Sequence, residues 1–197
     1  EDMKKIGEGS FAKVFCAKYN GDIVAVKKLI DDTNLKEIRK EAGRLSQLKH
    51  ENVVKLIGVC FFPSALVIEF MKGGCLSDYL FERKDKPLPL KLVASISKDI
   101  INAMCFLHDA APPILHRDLK SANVLLSDNL VAKIADLGSA ELMNPLMTRQ
   151  EVTNPRWLAP EVLLGENYGL PSDVYGFGIV LWELCTRGTP FDKNERP

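Results

Sequence analysis

The sequence predicts an α+β protein in two parts, a small strand-rich half over residues 1–71 and a larger, mainly helical half over residues 72–197. Three observations predict it. Short β-branched runs punctuated by turn residues fill the first part, apolar positions repeating at three and four residues fill the second, and Lys72-Gly73-Gly74 between them is the best breaker cluster in the chain. With 197 residues, 46% of them hydrophobic, the chain can bury a sizeable core and is neither disordered nor fibrous.

The strand-rich half reads as follows. Ile6 leads into a glycine-containing turn, Val14, Cys16 and Lys18 alternate after it, Asn20-Gly21 signals a hairpin, and Ile23 to Val26 is β-branched. Gly7 and Gly9 have no β-carbon, so the backbone there can approach phosphates closely and turn its N–H groups toward them. Lys27 closes an apolar strand, where an unpaired ammonium is costly, so it needs an anion. Glu37 and Glu41 are the candidates; Glu41 lies between Ile38, Leu45 and Leu48, on or beside the apolar face of a helix, whereas Glu37 reads as a solvated charge. Val53–Val59 and Ala65–Phe70 are two further apolar runs separated by Pro63-Ser64, which completes a five-stranded sheet with one helix.

In the second half, Val93, Ile96, Ile100, Met104 and Leu107 mark a long amphipathic helix after Pro87 and Pro89 that ends near His108 before Pro112-Pro113. Val124–Leu126 and Val131–Ile134 read as a short hairpin around Ser127-Asp128-Asn129. The segment Val174–Leu184 is the most apolar, but Gly176, Gly178, Trp182 and Glu183 interrupt it and it is too short to span a bilayer, so it reads as a buried helix. Between these lies His116-Arg117-Asp118-Leu119-Lys120-Ser121-Ala122-Asn123, which sets an acid, a cation and a carboxamide at fixed offsets. Chemistry on a phosphate needs such a set: Asp118 to accept a proton from an attacking hydroxyl, Lys120 to neutralise a phosphoryl oxygen, Asn123 to offer a carbonyl oxygen to a hard cation such as magnesium.

Composition narrows the function classes. Lys plus Arg and Asp plus Glu number 26 each, so no net field favours nucleic acid or an anionic membrane as a partner. Cys16, Cys60, Cys75, Cys105 and Cys185 are scattered without metal-type spacing, which points to free thiols and a cytoplasmic, reducing compartment. No basic segment followed by an apolar run opens the chain, and Glu1 suggests a trimmed start.

The 116–123 segment resembles the catalytic loop of the eukaryotic protein kinases. Gly7-Glu8-Gly9-Ser10-Phe11-Ala12-Lys13-Val14, Val24-Ala25-Val26-Lys27, Glu41, Asp136-Leu137-Gly138 and Ala159-Pro160-Glu161 match further signature segments of that family in the expected order. The resemblance implies a bilobal kinase fold, with a five-stranded antiparallel N-lobe carrying one helix and a mainly helical C-lobe. It implies ATP and Mg2+ as cofactors and a protein as substrate. Lys27, Glu41, Asp118 and Lys120 would be the catalytic residues, and Asn123 and Asp136 the metal ligands. ATP would lie among Ile6, Gly7, Gly9, Val14, Ala25, Lys27, Ile68, Glu69, Met71, Leu125 and Asp136, with Ile68 as gatekeeper and Glu69-Phe70-Met71 as the hinge that meets the adenine edge. Counting back from His50-Glu51-Asn52, which resembles the segment after the family's helix, favours Glu41 as the partner of Lys27.

Lys120, two residues after Asp118, favours transfer to serine or threonine, since tyrosine kinases of the family generally lack lysine there; Trp157 and the run Ser172–Gly178 resemble the tyrosine-kinase-like group, whose members mostly phosphorylate serine and threonine. Three positions depart from the family pattern. Ala12 replaces a third glycine, which bears on how the loop flexes; Leu137 replaces phenylalanine but keeps the apolar anchor; Asn154 replaces the threonine usual in serine/threonine kinases. His116 is expected to brace the loop. Arg117 is expected as a waiting cation for a phosphorylated residue, with Ser139, Thr148 and Thr153 as the hydroxyls on offer and Thr148 the preferred one. Asp173 is expected to accept N–H groups from the catalytic loop, and Cys75, near a helix start, reads either as a reactive thiol beside the nucleotide or as a small packed side chain. The family's later C-terminal helices are not found after Phe191, and Arg196-Pro197 resembles the dipeptide whose arginine pairs with Glu161. The alternatives are a catalytically impaired nucleotide-binding scaffold, an interaction module working through the large lobe, or a kinase of tyrosine or dual specificity.

Overall fold

In the computed structural model, which describes residues 3–9, 12–30, 35–81, 87–143 and 154–192 with the backbone alone at Glu37, a five-stranded antiparallel sheet comes first. Its strands are β1 (Lys4–Glu8), β2 (Ala12–Tyr19), β3 (Asp22–Leu29), β4 (Leu56–Phe61) and β5 (Ser64–Glu69), in the spatial order β1-β2-β3-β5-β4. Asn20 and Gly21 take φ of 51° and 90°, the left-handed pair that a two-residue hairpin requires, so β2 and β3 pair without slip from Tyr19↔Asp22 to Ala12↔Leu29. Helix α1 (Leu35–Gln47) packs on β4 and β5 through Ile38, Ala42 and Leu45, all buried and spaced by three and four residues.

One boundary differs from the sequence reading. The fourth strand begins at Leu56, not Val53, because Val53 and Val54 pair elsewhere. Val53 bridges Ile134 in parallel, the Val54 N–H donates to the Ile134 carbonyl (2.9 Å), and the Ile134 N–H donates to the Asn52 carbonyl (2.8 Å). Both valines are buried, so the apolar run is continuous while its backbone partner changes from the helical half to the sheet. Hydrophobicity alone does not register that exchange.

The helical half comprises β6 (Gly74–Cys75), α2 (Leu76–Phe81), α3 (Leu90–His108), β7 (Ile114–Leu115), β8 (Val124–Leu126), β9 (Ala132–Ile134), β10 (Glu141–Leu142), α4 (Pro160–Leu163) and α5 (Leu170–Thr186). Val93, Ile96, Ile100, Met104 and Leu107 form the buried stripe of α3, as their spacing predicts. In the short hairpin, Val131 stays outside β9 because its N–H donates to Ser127 Oγ (3.1 Å). Strands β6, β8 and β9 form one small sheet, and β7 pairs with β10. Helix α5 is buried on one side only. Asp173, Gly176, Val180, Glu183 and Leu184 face inward while Val174 is 60% exposed. A side chain at Gly176 would meet the Leu119 carbonyl at 3.2 Å, so glycine lets the helix lie against the 116–123 loop. The end of α5 is held by Arg187, whose Nε and Nη2 donate to the Leu80 carbonyl (3.0 and 2.8 Å) at the end of α2. Among the described residues no helix is long and apolar enough to cross a membrane.

A single contact cluster of buried side chains runs through both halves, from Ile38, Leu45 and Leu66 to Ile100, Leu107, Val124, Ile134 and Leu184. A smaller cluster of Leu115, Leu158, Ala159, Val162 and Tyr168 lies under the chain that precedes α4.

Candidate active site

Strand pairing puts several of the candidate residues on one face of the sheet. Val14 lies opposite Lys27 and Ala25 opposite Ile68, while Ala25 and Lys27 are two residues apart on β3. Directly opposed and i, i+2 residues point to the same side, so Val14, Ala25, Lys27 and Ile68 share that face. Gly7 lies across from Val14 at the end of the row, just past an irregularity at Ile6, and the Gly9 N–H donates to the Ala12 carbonyl (2.8 Å) to close the turn. Ile6 is 47% exposed and Leu125 is half-buried on β8.

Lys27 is the meeting point. Its Nζ donates to Glu41 Oε1 and Oε2 (2.9 and 3.0 Å) and to Asp136 Oδ1 (2.7 Å), joining β3, α1 and the turn after β9. Burial by itself would depress the ammonium, but the Asp136 and Glu41 carboxylates outweigh it and hold Lys27 above its ordinary value. Asp136 shows the reverse balance: burial would raise it, and Lys27 overrides that and keeps it below the usual carboxylate range. Both groups therefore stay charged at neutral pH.

The 116–123 loop gathers around Asp118. Lys120 Nζ and Asn123 Nδ2 donate to its Oδ2 (2.7 and 2.9 Å), and Asn154 Nδ2 donates to its Oδ1 (3.2 Å). Asn123 Nδ2 also donates to the Asp118 carbonyl (2.7 Å), which turns the carboxamide oxygen to the other side. The Asn123 carbonyl accepts the Ala135 N–H (2.8 Å), so Asn123 and Asp136 sit on neighbouring backbone segments. Among the described residues no group of three or more His, Cys, Asp or Glu is arranged to hold a metal by itself.

Beneath the loop, Asp173 at the start of α5 is wholly buried and accepts the N–H groups of His116 (2.9 Å) and Arg117 (3.0 Å), as the sequence suggests. It also bonds His108 Nε2 (2.8 Å) and accepts the Tyr168 hydroxyl (2.6 Å). Burial would raise its carboxyl, but the bond from His108, the nearby His116 and the other donors hold it below the ordinary range. Burial, and Asp173 itself, push the Tyr168 hydroxyl far upward, so Tyr168 remains the donor.

The family model described as protein tyrosine and serine/threonine kinase matches residues 1–195. The chain belongs to that family. Among similar proteins, the probable serine/threonine-protein kinase pats1 of Dictyostelium discoideum is 38% identical over 203 residues, which cover 92% of this chain and 6% of that protein. The probable serine/threonine-protein kinase drkB of the same organism is 37% identical over 193 residues, 95% of this chain and 28% of that protein. Cyclic GMP-binding protein C, also from Dictyostelium discoideum, is 37% identical over 224 residues, 96% of this chain and 8% of that protein. The kinase domain thus spans less than a third of the length of these relatives.

Within this kinase domain the hinge segment divides its polar groups. Glu69 donates its N–H to the Lys55 carbonyl (3.0 Å), and its carboxylate takes the Lys55 N–H (2.6 Å) and Lys133 Nζ (2.8 and 2.9 Å). The Met71 carbonyl accepts the Gly74 N–H (3.1 Å). Leu137 is fully buried, the apolar anchor expected of it.

Two expectations are corrected. Arg117 is not a waiting cation: it is buried, with φ of 68°, and pairs with the Glu141 carboxylate on β10. Cys75 is not activated: it precedes α2, its Sγ lies 3.1 Å from Ser77 Oγ, and burial pushes the thiol up. Glu161 accepts the Ser172 hydroxyl (2.8 Å), while its expected arginine partner, Arg196, lies outside the described residues. Ser10, Phe11, Thr148, Thr153, Arg196 and Pro197 lie outside the described residues, as does the Glu37 side chain.

Sequence reasoning missed three contributors. Arg44 Nη1 donates to the carbonyls of Leu137 (3.1 Å) and Gly138 (3.2 Å); its position three residues after Glu41 was the available signal. Asn154 appeared only as a departure from the family pattern, not as a donor to Asp118. Glu183, wholly buried, accepts the Ser121 hydroxyl (2.7 Å) and the Trp157 indole N–H (3.0 Å); a carboxylate inside the most apolar segment of the chain was the available signal.

Proposed function

We propose that this kinase domain transfers the γ-phosphoryl group of ATP to serine or threonine of a protein substrate. The observation that carries the reading is the meeting of Lys27, Glu41 and Asp136 at one ammonium, which brings together from three separate segments the residues that the kinase family pairs with phosphate and metal binding. Lys27 would hold phosphate oxygens while Glu41 fixes its direction. Asn123 and Asp136 would hold magnesium, which when bound neutralises and bridges phosphate oxygens. Asp118, kept in one orientation by three donors, would receive the hydroxyl proton of the substrate, and Lys120 beside it would offset charge on the transferred group. Because phosphoryl transfer asks for placement and charge compensation more than covalent help, such a constellation is sufficient.

Lys120 and the names of the serine/threonine kinase relatives support serine and threonine as acceptors. The free cysteines support a reducing, cytoplasmic setting. The test is a radiolabelled assay with Mg-ATP and a mixed protein substrate, followed by phosphoamino-acid analysis. Phosphoserine and phosphothreonine are expected, and Asp118→Asn should cut turnover by roughly 10²–10⁴-fold while the Mg-ATP thermal shift persists. Equal loss of both on Asp118→Asn contradicts the role of Asp118, a shift without any transfer by wild type selects a nucleotide-binding scaffold, and phosphotyrosine overturns the acceptor.

A further inference from the structure

We propose that Arg44 is a positioning residue that latches the 136–138 turn to helix α1 and so sets the Asp136 carboxylate against Lys27. Glu41 and Arg44 are three residues apart, and both reach from α1 toward the same place, one by way of Lys27 and the other directly. Arg44 Nη1 has two hydrogens, and it lies 3.1 Å from the Leu137 carbonyl and 3.2 Å from that of Gly138. These carbonyls belong to no helix or strand. Asp136 turns the chain with φ of 59°; within the turn the Ala140 N–H reaches the Leu137 carbonyl at 3.2 Å, and Arg44 brings a further donor to that oxygen and one to the carbonyl of half-buried Gly138. A guanidinium supplies them with charge.

Helix and turn are close enough for the latch to govern geometry. A β-carbon at Gly138 would lie 3.4 Å from Asp136 Oδ1 and 3.6 Å from Glu41 Oε2. Any movement of α1 that carries Glu41 away from Lys27 must also pull Arg44 off both carbonyls. Arg44 thereby makes the Glu41 arrangement and the Asp136 arrangement rise and fall together, and it does so at a turn where leucine holds the apolar anchor. The activity arm of this proposal rests on the kinase reading; the structural arm does not.

The test compares wild type, Arg44→Met, Arg44→Gln and Arg39→Met in the full kinase domain. Arg39→Met is the control: it removes the same charge from the same helix, but Arg39 sits over the Phe61 ring at 5.6 Å, away from the turn. Hydrogen exchange of peptides covering residues 134–143 is read without nucleotide. Arg44→Met should speed exchange of the Ala140 amide about tenfold, Arg44→Gln should do so less, and Arg39→Met should leave it at the wild-type rate. The magnesium concentration for half-maximal activity should rise roughly tenfold in Arg44→Met, as expected when a ligand loses the group that orients it. Unchanged exchange in both Arg44 variants, or equal acceleration in Arg39→Met, overturns the latch. If Arg44→Met does not fold, Arg44→Gln decides by the same criterion. Wild-type protein without phosphoryl transfer would sink the kinase reading while the exchange comparison still judges the latch.

Discussion

At the scale of single residues, the site is decided by which atoms share a proton donor. Asp118 has both carboxylate oxygens engaged, Oδ2 by Lys120 and Asn123 and Oδ1, among the described residues, by Asn154. Removing Asn154 therefore takes away one of the three donors that hold the carboxylate, while Oδ2 keeps its two. A net hydrogen bond of about 1 kcal/mol converts to roughly fivefold in rate, so Asn154→Ala should lower kcat by about that factor and leave the KM for ATP unchanged. A change in KM with constant kcat would show that Asn154 acts on nucleotide binding instead. Lys27 makes a sharper case. With Lys27→Met, Asp136 loses the cation that holds its carboxyl low and Glu41 loses its bonds to Lys27 Nζ, and the Mg-ATP thermal shift should be lost. The identities of these polar residues are legible in the sequence because their types and offsets carry the chemistry. The bond from Asn154 is not, since it closes across thirty-six residues of chain.

At the scale of elements, α5 is the support from which the loop hangs. Its first turn offers Asp173 to the backbone of His116 and Arg117, and its last turns offer Glu183 to Ser121 and Trp157. Burial pushes the Glu183 carboxyl up against the opposing bonds from Trp157 and Ser121. Glu183→Gln should therefore keep stability within about 1 kcal/mol at neutral pH, because a neutral amide still accepts the indole N–H and lets the serine hydroxyl turn to accept. Glu183→Leu leaves the buried Ser121 hydroxyl and the indole N–H without that acceptor and should cost about 1–3 kcal/mol for each group, measured by denaturant unfolding. Asp173 sets a pH dependence. Its folded carboxyl is held below the ordinary value, so as pH falls below about 4 the unfolded chain takes up the proton first and stability drops. Asp173→Asn should flatten that part of the stability profile, at the expense of stability at neutral pH. A profile below pH 4 identical to wild type would show that Asp173 is not linked to unfolding. Helices α1, α3 and α5 are all legible from apolar spacing, but α5 only roughly: its composition suggests burial all round, while the structure leaves Val174 and Trp182 exposed.

At the scale of the whole molecule, the continuous buried cluster joins the sheet to the helices. The two tryptophans, Trp157 and Trp182, both lie in the helical half, whereas Leu66, fully buried, lies on β5. Leu66→Ala should cost about 2–5 kcal/mol, and the tryptophan fluorescence transition should shift with far-ultraviolet circular dichroism as a single step. Fluorescence that keeps its wild-type midpoint would mean the halves unfold separately. The sequence by itself determined the class of fold, the kinds of element and most of the polar residues that meet around Lys27 and Asp118. These depend on local period, turn-forming residues and side-chain types, all written along the chain. Only the tertiary structure decided that Val53 leaves the sheet for Ile134, that Arg117 is already paired with Glu141, that the Cys75 thiol is quenched by burial, and that Arg44 grips the turn after β9. Each of those depends on which distant group arrives at a given atom, and that is fixed by packing, not by any pattern a neighbouring residue can carry.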